Sequence, residues 1–179
     1  MSNALHQMTL VYVPEEDRAL LRVIMTNATE VQFWLTRKFV NILWDVLIKT
    51  VDLLPRKDRS SKVSDDRSIA ATRLFEHEEA LKKVLDETPN AQNKTSKVIQ
   101  ETPLLVVGIN SRIDDTGIAN LTLRNKNANE IVLSLSIELL HGFLHQIRTV
   151  ATQADWNLDL ILSQPNASIA IPTEKKHIH

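Results

Sequence analysis

The chain has 179 residues, with 21 Lys and Arg against 22 Asp and Glu and a formal net charge of −1. That balance argues against a strongly basic nucleic-acid surface and leaves room only for a local patch. No cysteine is present, which removes disulfides, thiolate catalysis, zinc ribbons and iron–sulfur clusters together and fits a reducing compartment.

Apolar residues at 43% and charged residues at 24% are ordinary for a globular chain long enough to bury a core. The first residues lack a charged segment followed by a long apolar run, so no secretory signal is expected. The most apolar stretch, 39–54, is interrupted by Asn41, Asp45 and Lys49 and is too short to span a bilayer comfortably. A cytoplasmic protein is expected, with no membrane partner. The Asn-x-Ser/Thr triplets at Asn27, Asn93, Asn120 and Asn166 then carry no glycosylation meaning. Gly108, Gly117 and Gly142 are the only glycines. They are too scattered to cradle a phosphate, so P-loop and dinucleotide fingerprints are absent and no cofactor is expected.

In chain order, residues 1–7 read as a loose lead-in. Alternation of apolar and polar residues predicts strands at about 8–13, 18–26 and 30–35. The third strand sets Val31, Phe33 and Leu35 on one face and Gln32 and Trp34 on the other. At Thr36, a good N-cap, the apolar spacing changes from two to three and four, which predicts a helix to about Leu53. That helix is apolar nearly all round and needs cover from a second unit or a second chain. Pro55 ends it. A polar, serine-rich loop follows, then an amphipathic helix at about 66–86 and a linker at 87–102. Strands are expected again from 103 onward, and Ser136 starts a second helix running to about Thr152. Its polar side holds Glu138, His141, His145 and Arg148. Beyond it lies a tail, 153–179, in which Trp156, Leu158, Leu160 and Leu162 alternate with polar residues.

The two strand–helix segments match without a gap at an offset of 100. Glu30 meets Glu130, Val31 meets Ile131, Phe33 meets Leu133, Leu35 meets Leu135 and Thr36 meets Ser136. Upstream, Ala19, Leu21 and Val23 face Ala119, Leu121 and Leu123, and Val11–Val13 face Ser111–Ile113. The sequence therefore predicts an α+β fold in which two βββα repeats share one core, with antiparallel sheets packed on the helices. Repeat one is 8–54, the insertion and linker 55–102, and repeat two 103–152, within a single globular domain spanning 1–179. Two strand-rich units, each closed by a helix, are similar in plan to the Whirly and Pur single-strand-binding families. The resemblance covers the two repeats, is architectural, and lacks those families' signature residues. Those families are generally reported with four strands per unit, where three are read here.

Candidate sites are few. Trp34, Arg37 and Lys38, with Arg56, Lys57 and Arg59 in the loop, make the best constellation for stacking a base or meeting a partner. Trp34 is more often an ordinary interface or core residue, and acids at Asp58, Asp65 and Asp66 dilute the loop charge. His141 and His145 stand four apart with Glu138 three before the first, a spacing that can hold a metal on one helix. Nothing elsewhere in the sequence completes that ligand set, and a solvated polar face is the simpler reading. No spacing of serine, aspartate and histidine singles out a catalytic set. The expectation is a non-catalytic, self-associating interaction or scaffold protein, a homo-oligomer or the holder of a protein partner. Single-stranded nucleic-acid binding is the alternative.

Overall fold

The computed structural model describes residues 5–54, 77–80, 97–99 and 101–160. Its elements are β1 (Leu5–Val13), β2 (Arg18–Met25), β3 (Thr29–Thr36), α1 (Arg37–Leu53), the helical residues 77–80 (α2), β4 (Lys97–Val98), β5 (Leu104–Ile113), β6 (Ala119–Asn125), β7 (Glu130–Leu135) and α3 (Ile137–Gln153). The architecture is α+β. The strands form one seven-stranded sheet in the order β1-β2-β3-β5-β6-β7, with β4 paired to β3.

Two groups of three antiparallel strands follow from the alternation in the sequence. They are joined by parallel pairing of β3 with β5, Phe33 opposite Leu104 and Trp34 opposite Leu105. The sheet is therefore mixed rather than antiparallel throughout. Local pattern could not reveal this, because parallel strands meet only through a long crossover. Two further expectations are corrected. The first strand begins at Leu5, inside the supposed lead-in. The linker at 87–102 contains β4, which lies parallel to the start of β3 with Thr29 opposite Lys97. The loop at 55–76, most of the helix at 66–86 and the tail beyond 160 fall outside the described residues.

The second and third strands pair in the same register in both groups. Ala19, Leu21 and Val23 oppose Leu35, Phe33 and Val31, while Ala119, Leu121 and Leu123 oppose Leu135, Leu133 and Ile131. The turns between them place Ala28 at φ 61° and Ala128 at φ 60°, and Asp17 and Gly117 are both left-handed in the turns before. The first strands do not follow the offset of 100. Tyr12 opposes Ala19 and Ile113 opposes Ala119, an offset of 101. The second turn is one residue tighter, closed by the Asp114 amide donating to the Ile118 carbonyl at 3.0 Å. Gly117 there supplies the positive φ that a three-residue hairpin needs. Val11–Val13 and Ser111–Ile113 are thus out of step by one residue. Each first strand carries an irregularity, at Leu5/Gln7 and at Val106/Gly108.

Both helices lie on one face of the sheet and touch each other. Thr36 and Ser136 cap them, their side-chain oxygens accepting from the Phe39 and Leu139 amides at 3.2 and 3.4 Å. Each helix then packs on the opening strand of the other group, α1 on β5 and α3 on β1. Phe39, Val40, Leu43, Trp44, Leu47 and Val51 of α1 are all buried, as are Leu140, Phe143, Leu144 and Ile147 of α3. The apolar girth of α1 is therefore covered largely within one chain. Only Ile42 and Leu53 remain exposed on it as large apolar residues.

Candidate functional site: the outer sheet face and the histidine cluster

Because side chains alternate along a strand, the residues between the core positions of β1–β7 form a second, outward face. Among the described residues no helix lies on it. Register lines up one row across four strands, Val11 opposite Leu20, Leu20 opposite Trp34, and Trp34 opposite Leu105. Val11 is exposed, and Leu20, Trp34 and Leu105 are half-buried. Val98, Val107 and Val132 are also exposed on outward positions. Apolar rows of this kind are normally covered by something.

Around the row stand arginines at outward positions of β2, β5 and β6. Arg22 is gripped by Glu30, Nε to Oε1 at 2.7 Å and Nη2 to Oε2 at 3.1 Å, and this carboxylate raises the pKa of the guanidinium. Glu30 is buried and also accepts from Gln32 Nε2 at 2.8 Å. Arg112 and Arg124 are exposed. A Cβ at position 108 would stand 3.0 Å from the Arg124 guanidinium, so glycine at the irregularity lets that side chain lie across β5. Arg18, half-exposed at the start of β2, pairs with Glu16 at 3.5 Å. Outward acids on the strands are Glu30 and Glu130. The face therefore carries modest positive charge.

The predicted constellation is only partly assembled. Trp34 projects outward as expected. Arg37 and Lys38 are exposed in the first turn of α1, and Arg37 bears on Asp17 instead. The Asp17 carboxylate accepts from Trp156 Nε1 at 2.9 Å and from the Tyr12 hydroxyl at 3.0 Å. Those bonds, with the Arg37 charge, hold its pKa below the usual carboxylate value. The Tyr12 hydroxyl is pushed up by desolvation and by Asp17. Trp156 is buried, edge-on to Tyr12 with ring centroids 5.7 Å apart. Of the alternating tail residues, Trp156 is buried and Leu158 and Leu160 pack against the core, while Leu162 lies outside the described residues. Arg56, Lys57 and Arg59 lie outside the described residues.

The polar side of α3 is a second place of interest, and not as a solvated face throughout. His141 is fully buried, whereas His145 is exposed and Glu138 half-buried. His77 of α2 is also buried, and its Nδ1 lies 3.3 Å from His141 Nδ1. The His77 ring is 5.4 Å from that of His141 and 6.3 Å from that of His145, centroid to centroid. Burial, then the charges of His145 and Arg148, lower the His77 pKa, while Glu78 works in the other direction. Among the described residues, no group of three or more His, Cys, Asp or Glu side chains gathers in a metal-holding arrangement.

Sequence reasoning missed Arg22, Arg112 and Arg124 as companions of Trp34, although their even spacing along predicted strands could have flagged them. It missed His77 because nothing local links two histidines 64 residues apart.

The fold and its surfaces define an α+β protein with one sheet face covered by helices and the other open among the described residues. No family model matches the chain, and neither a curated protein nor a solved structure matches it.

Proposed function

We propose that this is a non-catalytic interaction protein that self-associates through the outer sheet face. The observation that carries the reading is the row Val11–Leu20–Trp34–Leu105, apolar, continuous over four strands and only partly shielded. Burying such a row contributes about 25 cal/mol per Å2 of apolar surface removed from water. Trp34, at its middle, is the residue type most often found at energetic centres of interfaces. The framework behind this face is a duplicated βββα unit. The matching registers of β2–β3 and β6–β7, the paired left-handed residues at 17/117 and 28/128, and the helices exchanged between the two groups support that reading.

Leu105→Lys places a charge in the row without touching the helix-packed core. Light scattering of the full chain over a range of concentrations should give a dimer mass for the native protein. The variant should give a monomer mass with an unchanged far-UV spectrum. A native chain that stays monomeric throughout overturns the proposal.

A second reading, single-stranded nucleic acid, is favoured by Arg22, Arg112 and Arg124 around an outward tryptophan. Oligonucleotide binding there would quench Trp34 fluorescence and weaken steeply with salt, as phosphate contacts do. Absence of any oligonucleotide response in low salt removes this second reading.

A further inference from the structure

We propose that His77 and His141 are a transition-metal site, taking a zinc-class divalent cation through their Nδ1 atoms with His145 at hand as a third ligand. The two Nδ1 atoms are 3.3 Å apart. That separation admits a ring N–H···N hydrogen bond in one pairing of tautomers, at a length just past the roughly 2.7–3.2 Å of N–H···O bonds. It equals the edge of a tetrahedral site, since two Zn–N bonds of about 2.0–2.1 Å at the tetrahedral angle set their nitrogens roughly 3.3–3.4 Å apart.

Three further observations bear on the site. Both rings are buried, at 4% and 0% exposure, although histidine is only intermediate in its tendency to be buried. His145 is one turn along α3 from His141 and its ring is 6.3 Å from that of His77, which places it beside the pair. Its exposure also gives the ion and its water ligands a route in. As the site stands, two protein nitrogens face each other across it. This agrees with the absence of a gathered three-ligand group among the described residues. Arg148 is the nearby cation that opposes binding, and Glu78 the anion that favours it. The site joins α2 to α3, so occupancy would tie the segment between the two strand groups onto the core.

The test uses the full chain carrying His177→Ala and His179→Ala, so that tail histidines do not contribute, after chelator treatment and dialysis. Titration calorimetry with ZnCl2 should show one equivalent bound, and Co2+ should give the intense visible absorption of a low-coordinate nitrogen site. His77→Gln removes one of the two buried donors from the smaller element. It should weaken binding by about a hundredfold or more, because a change in the outer shell alone costs ~10–100-fold. His145→Ala should weaken it less. Circular dichroism of His77→Gln separates loss of the site from loss of the fold. No saturable binding by the tail-substituted chain overturns the proposal. So does binding that His77→Gln leaves unchanged in a folded protein.

Discussion

Asp17 takes a left-handed backbone at φ 47°, and its carboxylate collects Trp156 Nε1 and the Tyr12 hydroxyl. One side chain thus ends the β1–β2 turn and anchors the residues after α3, 139 positions later. Its pKa is lowered from the ordinary 3.8, first by the bond from Trp156. A carboxyl depressed on folding stabilises the native state fully above its unfolded value and loses that contribution as pH falls through the folded one. Asp17→Asn should therefore flatten the fall in Tm below about pH 4 relative to the native chain, while lowering Tm at neutral pH. Asparagine tolerates the left-handed backbone, so the turn itself is spared. Thermal melts followed by tryptophan fluorescence check this, and an acid slope equal in both proteins contradicts it. The outward course of Trp34 was legible from alternation alone. The roles of Asp17 and His77 were not, since each depends on a partner far along the chain.

At the scale of elements, the helix starts were the most legible feature. Thr36 and Ser136 sit where the apolar period changes, and both cap as their chemistry requires. What local pattern could not reveal is which strand each helix covers. Gln146 shows how that choice is secured. Its Oε1 accepts from the Leu10 amide at 2.8 Å, and its Nε2 donates to the Met8 carbonyl at 3.3 Å. The side chain acts as a short length of strand against β1, an outermost strand of the sheet whose backbone groups would otherwise be unpaired on that side. Gln146→Ala leaves a partly buried amide and carbonyl without these partners, at a cost of about 1–3 kcal/mol. Gln146→Glu keeps the acceptor and loses the donor, so it should fall between the two. Urea unfolding measures both, and an alanine variant as stable as the native chain would show that the two bonds are replaced by water at no cost. The parallel join of β3 to β5 was likewise hidden, because its hydrogen bonds link segments separated by the whole insertion.

Across the whole molecule, the decisive fact is that each helix covers a strand belonging to the other group while β1 and β7, at opposite ends of the strand order, also touch. Neither group of three strands then has its own helix as its main cover. Leu47 on α1 and Ile147 on α3 are both fully buried in this shared core. Truncating Leu47 to alanine removes methyl groups from a fully buried site, at a cost of about 2–5 kcal/mol. If the halves are mutually dependent, that loss is felt by both. Unfolding should remain one transition, shifted to lower urea by the same amount whether followed by far-UV circular dichroism or by fluorescence of buried Trp44 and Trp156. The two tryptophans lie on opposite sides of the insertion, in α1 and beyond α3, so they report on different parts of the chain. Two separated transitions, with one probe unmoved by Leu47→Ala, would mean that the strand groups are stabilised independently. The exchange of helices would then be an arrangement of contacts without mutual dependence.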